Sequence, residues 1–225
     1  MEGLSAMTNL TKLEFGGPRS HDQQMKLDLF GPSRKEIWKQ LAEETGGKLV
    51  EGGFLDRGKV QVAHRNWTIT LDKQVVPAGK TVLVFTRMRA PYVNPDGFRF
   101  TIYRKGFFSD IGKLLGMHDV EVGFQPFDDE FMIKGNDETK LRLLFQDSRL
   151  RELITVHPEI QFSVKDDEGW FGPTFPEGVD ELQFRVVGVI KDVDRLKLLY
   201  ELFGETLDQL CRIGSAYQNS PDVTL

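Results

Sequence analysis

Arg87, Arg89, Arg99, Thr101 and Tyr103 fall within one stretch, residues 82–104, with the sequence VLVFTRMRAPYVNPDGFRFTIYR. Guanidinium groups are planar forks that match carboxylates and phosphates in two-point contact, and a neighbouring phenol adds a stacking surface. Gathered on one side of a sheet, these residues would hold an anionic ligand or an acidic protein partner. The simpler account is a solvated face whose arginines pair with the chain's own carboxylates. Single-stranded nucleic acid would demand a broader basic groove. A formal net charge of −5 also speaks against nucleic acid.

Other chemistry-bearing residues fall short of a site. Residues 166–180 form a long loop carrying Trp170, Phe171 and Phe175, which either folds back over the core edge or presents a partner patch. Gly53-Phe54-Leu55-Asp56-Arg57-Gly58-Lys59-Val60 has the glycine and lysine spacing of a phosphate loop. Val60 replaces the hydroxyl that would reach Mg²⁺, and a strand rather than a helix follows. The histidines His21, His64, His118 and His157 are scattered, and Cys211 is the single cysteine. They imply no metal site and no disulfide. Asp128-Asp129-Glu130 and Asp166-Asp167-Glu168 lack the alternating oxygen ligands of a calcium loop and read as turn charges. His64 beside Trp67 reads more simply as a partly buried His packed on an indole than as an acid/base group. His118-Asp119, adjacent on a strand, would point to opposite faces rather than act as a pair. No G-x-S-x-G occurs, and no catalytic set or cofactor site can be assembled from the sequence. The leading reading is therefore a non-enzymatic binding module. The alternative is a small-molecule-binding protein or enzyme with a pocket between the last helix and the sheet.

The arginine stretch must be positioned by strands. Asn94-Pro95-Asp96-Gly97 has the residue types of a tight turn, so Val82–Arg104 reads as one antiparallel hairpin. In that register Met88 faces Ile102 and Ala90 faces Phe100 on an apolar side. Arg87 faces Tyr103 and Arg89 faces Thr101 on the polar side. A second hairpin turns at Arg65-Asn66, with Val62 opposite Ile69, Val60 opposite Leu71 and His64 opposite Trp67. Ser33 caps a helix with Glu36 completing the capping box; its apolar side is Ile37, Trp38 and Leu41. Met25–Phe30 reads as a short strand and Phe107–Met117 as a short helix. Ile160, Phe162 and Val164, and then Leu182, Phe184 and Val186, alternate with polar residues as half-buried strands. Asp192 to Tyr217 is one long helical pattern with Leu196, Tyr200, Phe203, Leu207 and Leu210 on a wide apolar stripe. Such a stripe predicts packing against a sheet rather than a two-stranded coil.

The expected fold is α+β: a largely antiparallel sheet with helices packed on one face, a long C-terminal helix, and the other face partly open. Residues 1–24 read as a disordered tail, 25–217 as a single domain and 218–225 as a tail. A helix followed by strands occurs near 33 and again near 137, which hints at two related halves. No segment approaches the ~20 apolar residues that span a bilayer, and the N-terminus lacks the apolar run of a secretory signal. Cytoplasmic residence is the default expectation.

Phe127, Asp128, Phe131, Ile133, Gly135 and Asp137, followed by Leu143-Leu144, spell F-D-x-x-F-x-(V/I)-x-G-x-D before a Leu-rich helix. This segment resembles an uncharacterised bacterial domain family of unknown function. The match is local, and the C-terminal half follows it loosely. The resemblance implies no activity and assigns no catalytic or binding residue. The arginine stretch lies outside it.

Overall fold

The structure, a computed structural model, describes residues 32–52, 58–106, 117–166, 175–223 and 225. The expected tail 1–24, the strand at Met25–Phe30, nearly all of the helix at Phe107–Met117, and Trp170 and Phe171 lie outside those residues. From Arg34 to Leu225 the chain forms one unit. Helix α1 (Arg34–Thr45) leads into β1 (Lys48–Val50), β2 (Lys59–His64), β3 (Trp67–Ala78) and β4 (Thr81–Val93). Next come β5 (Phe100–Arg104), β6 (His118–Asp119), α2 (Gln125–Glu130) and β7 (Phe131–Gly135). The chain ends with α3 (Glu138–Leu144), α4 (Ser148–Thr155), β8 (Gln161–Lys165), β9 (Val179–Val187) and α5 (Val193–Arg212). The described strands make one antiparallel sheet in the order β1-β2-β3-β4-β9-β8-β5-β7-β6. The fold is α+β.

Period-2 alternation gives this sheet two chemically different faces. Ile69 and Leu71 of β3, Met88 and Ala90 of β4, Leu182 and Phe184 of β9, Phe162 of β8 and Phe100 and Ile102 of β5 are all buried on one face. Helix α5 covers that face. Asp192 caps it by accepting from the Arg195 backbone N–H (3.0 Å). Its stripe of Leu196, Tyr200, Phe203, Leu207 and Leu210 is buried, with the Phe203 ring 5.3 Å from that of Phe162. Each such side chain contributes roughly 1.5–3 kcal/mol on full burial. The long helix therefore packs within its own chain. It stops at Arg212, short of the expected Tyr217, which instead bridges to Val93. Gly204 is needed for close approach: a Cβ there would stand 2.9 Å from the His64 ring.

The β2–β3 hairpin has the expected register, with His64 opposite Trp67 and Val60 opposite Leu71. Its turn puts Arg65 at φ 52, and Asp208 of α5 holds that residue through its guanidinium at 2.8 Å. The hairpin expected across Asn94–Gly97 does not form. β4 pairs with β9 from Thr86 to Val93, whereas β5 pairs with β8 and β7. The Asn94 amide donates to the Phe98 carbonyl (3.0 Å) and to buried Asp180 (2.6 Å). Asp96 accepts from the Phe98 N–H (2.9 Å), Ser215 Oγ (3.0 Å) and Lys140 Nζ. The loop is thus held by β9 and by the chain's C-terminal part. The residues 218–225 expected as a tail also make contacts: the Gln218 carbonyl accepts from Asn66 (2.5 Å) and the Leu225 carbonyl from Lys59 Nζ.

The Phe127–Asp137 segment proves to be a structural device. Asp128 accepts from the backbone N–H groups of Val122, Gly123 and Phe124, each at 2.9 Å. Phe127 and Phe131 pack with ring centroids 4.8 Å apart, and Asp137 caps α3 through the Lys140 N–H (3.0 Å). Gly135 leaves no room for a side chain: a Cβ would meet Leu141 Cδ1 at 2.5 Å and the Arg99 carbonyl at 3.0 Å. Gly135→Ala is expected to cost about 1–3 kcal/mol by overpacking, read as a lower urea midpoint. An unchanged midpoint would mean that α3 slides away without penalty.

Candidate functional site

Arg87, Arg89, Thr101 and Tyr103 share the polar face of the sheet, but not by pairing with one another. Two rows of side chains cross it. One runs Thr70, Arg89, Gln183, Ser163, Thr101, Lys134. The other runs Asp72, Arg87, Arg185, Gln161, Tyr103, Met132. Residues opposite one another on adjacent strands point to the same side, so the common face survives although β9 and β8 separate β4 from β5. Arg99 does not join the rows. It sits at the end of the sheet, donating to Asp180 (3.2 and 3.3 Å) and to Asp166 (2.8 Å).

This face is not open at its centre. Arg89, Thr101, Tyr103, Thr70, Ser163 and Gln183 are buried, and Glu181 is fully so. Asp72 lies between the two arginines. Arg87 grips it in a fork, Nε to Oδ1 at 2.9 Å and Nη2 to Oδ2 at 2.8 Å, and Arg89 Nη2 reaches Oδ2 at 2.5 Å. Arg89 also lies 3.7 Å from Glu181, whose other oxygen accepts from Gln183 at 2.9 Å. Burial pulls the Arg89 guanidinium below its usual range, opposed by the charge of Asp72. Burial pushes Glu181 up, opposed by Arg89. Burial and then the nearby charge of Arg87 lower Arg185, whose guanidinium lies 4.7 Å over the Phe85 ring. At Arg99 burial is the largest influence and acts downward, yet the bonds and charges of Asp180 and Asp166 together raise it. Two arginines, two carboxylates and an amide are therefore paired with one another inside the fold, although Arg89 Nε donates and Glu181 Oε2 accepts no hydrogen bond among the described residues. The arginines are paired with the chain's own carboxylates, on a face that is buried rather than solvated.

The other expected candidates are dispersed. Phe175 is buried. His64 lies flat against Trp67 with its Nε2 3.3 Å from Asp208, clamping the β2–β3 turn to α5. His118 and Asp119 form the exposed strand β6, and Asp119 pairs with Lys134 at 3.1 Å. Cys211 is a half-buried thiol pushed up by burial and by Asp208. Among the described residues no group of His, Cys, Asp and Glu is placed to hold a metal ion, and no helix is long and apolar enough to cross a membrane.

Sequence reasoning missed a second surface. β2 leaves β3 at Leu71, and β9 joins β4 only from Thr86. Between those points β3 and β4 pair with each other alone among the described strands, as a two-stranded arm from Asp72 to Phe85. Gly188 takes the β4 backbone at Val84 and Thr86 (2.7 and 2.8 Å). The β3 edge from Lys73 to Ala78 has no paired strand among the described residues. Val75, Val82 and Leu83 on the arm, with Val187 and Val189 beside its base, are exposed at 36–61 %. The signal was present in the sequence: residues 73–95 hold Lys73, Lys80, Arg87 and Arg89 and not one Asp or Glu.

No protein-family model matches the chain, and no curated protein does. Among solved structures it is similar to the crystal structure of the mycobacterial trehalose monomycolate transport factor A, TtfA. The TM-score is 0.48 at 11 % identity, covering 80 % of this chain and 95 % of that one. A likeness at this level transfers neither a family nor a function.

Proposed function

We propose that this protein is a non-enzymatic interaction module that receives an extended, acidic segment of a protein partner on the β3–β4 arm. The observation that carries the reading is the arm itself: exposed valines and a leucine on a strand pair with an open edge, carboxylate-free beyond Asp72 at its base, in an acidic chain. An open edge offers backbone N–H and C=O groups to an incoming strand. Lys73 and Lys80 favour a partner of opposite charge and disfavour a second copy of the same basic arm. Backbone groups on an open edge also resist entry into lipid. Arg87, Arg89, Arg99, Thr101 and Tyr103 are not placed at this contact, because the arginines already hold Asp72, Asp180 and Asp166. The alternative, a small-molecule pocket between α5 and the sheet, has one observation on its side: buried polar atoms of His157 and Arg195 near the start of α5.

The test uses a soluble decapeptide alternating glutamate with valine. The wild-type protein is expected to bind it with an affinity that falls as salt rises. Val82→Ser with Leu83→Ser is expected to weaken binding at least tenfold while stability stays within about 0.5 kcal/mol, as for other surface changes. Equal binding by the double variant would overturn the reading. So would an unresponsive wild type that instead dimerises in light scattering or sediments with phosphatidylglycerol vesicles.

A further inference from the structure

The helix-covered side of the sheet holds a group of polar atoms that the fold does not use. His157 follows the end of α4, its backbone N–H donating to Ile154 (3.1 Å), and its ring packs 5.9 Å from Phe184 of β9. The residue is fully buried, yet neither ring nitrogen has a hydrogen-bond partner among the described residues. Arg195, in the first turn of α5, adds its charge to the surroundings of this imidazole. Its Nε and Nη2 are both buried and likewise lack a partner. Those two atoms are one edge of the guanidinium, the edge that grips an oxyanion in two parallel bonds.

The carboxylates nearby are committed elsewhere. Asp192 accepts from the Arg195 backbone N–H, and Asp194 faces Lys197 at 3.1 Å. Arg195 forms no ion pair among the described residues, whereas Arg87, Arg89, Arg99, Arg104 and Arg149 each hold a carboxylate. A guanidinium is also the wrong charge for the positive end of a helix. Buried donors without acceptors are costly, those of a cation especially. One bridging water would meet donors but bring no charge opposite to the guanidinium.

We infer that His157 and Arg195 form a binding site for one small oxyanion, a carboxylate or a phosphate. Arg195 Nε–H and Nη2–H donate to two of its oxygens, and the neutral imidazole donates a third bond through whichever ring nitrogen carries the proton. Arg195 as a residue is half-buried while its Nε and Nη2 are buried, so the side chain runs from the surface to these two atoms. This inference is independent of the arm.

Acetate and inorganic phosphate, each titrated at constant ionic strength, are the probes. In the wild-type protein the melting temperature is expected to rise and saturate. The ring resonances of His157 should move with the same half-saturation, and its titration should climb above the value of about 4 to which burial and Arg195 depress it. Arg195→Lys keeps the charge and loses the fork, and is expected to bind at least tenfold more weakly; Arg195→Gln should not respond. Tighter acetate assigns a carboxylate ligand, and tighter phosphate a phosphate ester. A wild type without saturable response, or Arg195→Lys responding equally, overturns the site and leaves water as the partner of these atoms. The wild-type and lysine measurements decide the matter even if the glutamine variant does not fold.

Discussion

Changing both Arg87 and Arg89 to Gln is expected to cost the fold about 3–5 kcal/mol, the usual penalty for removing one side of a buried ion pair. The cause is what remains: Asp72 loses three charge-assisted bonds, and the fully buried Glu181 loses its nearest cation. Denaturant unfolding would read the loss as a lower midpoint at an unchanged slope. Adding Asp72→Asn should restore part of it, because the uncompensated carboxylate is then gone. A double variant as stable as the wild type would show that these arginines are dispensable to the sheet. An anion-binding role for its polar face would then be reinstated.

The second large effect is one of pH. Burial, reinforced by Arg195, lowers His157 from 6.5 to about 4. The unfolded chain therefore takes up this proton first as pH falls. The stability held in the neutral imidazole is complete above pH 6.5 and drains away between 6.5 and 4. At 1.36 kcal/mol per unit the loss is on the order of 3 kcal/mol. The check is the difference between wild type and His157→Gln in urea unfolding at pH 7.5 and pH 4.5, in chloride salt free of carboxylate and phosphate. Subtraction cancels the ordinary carboxylates, including Asp96, which burial raises but which Lys140, the Phe98 N–H and Ser215 together hold below its usual value. Parallel curves would sink the claim.

Much of this architecture could be read from one-dimensional pattern because the pattern is local. The β2–β3 register followed from where Ile69, Leu71, Val60 and Val62 fall relative to a two-residue turn. The burial of Phe203 and Leu207 followed from the width of the α5 stripe. Pairing across Asn94–Gly97 did not follow, because alternation specifies which way a strand faces and not which strand lies beside it. The turn residues are present, but Asn94 and Asp96 bond to Asp180, Lys140 and Ser215, partners far along the chain. The shared face of Arg87, Arg89, Thr101 and Tyr103 was legible despite the wrong partner: inserting β9 and β8 preserves which side each residue takes. Their commitment to Asp72 was not, since Asp72 lies on a strand whose register with β4 is set by a separate turn. The extent of the arm and the His157–Arg195 pair depend on where neighbouring strands and helices end, which composition does not encode; only the lack of carboxylates over residues 73–95 was visible in it.

The interposition of β9 and β8 between β4 and β5 also bears on how the molecule is made. A ribosome delivers the chain from its N-terminus, so β1 to β4 can zip into a meander while the rest is still being synthesised. β4 and β5 then wait with unsatisfied edges until residues 161–187 emerge to fill the space between them. Such late, long-range closure is slow, and it leaves apolar strands exposed in the meantime. A nascent chain stalled after α4 would hold the whole of the α1 and β1–β7 sequence yet lack the two strands that join its halves, a species suited to chaperone capture rather than to autonomous folding.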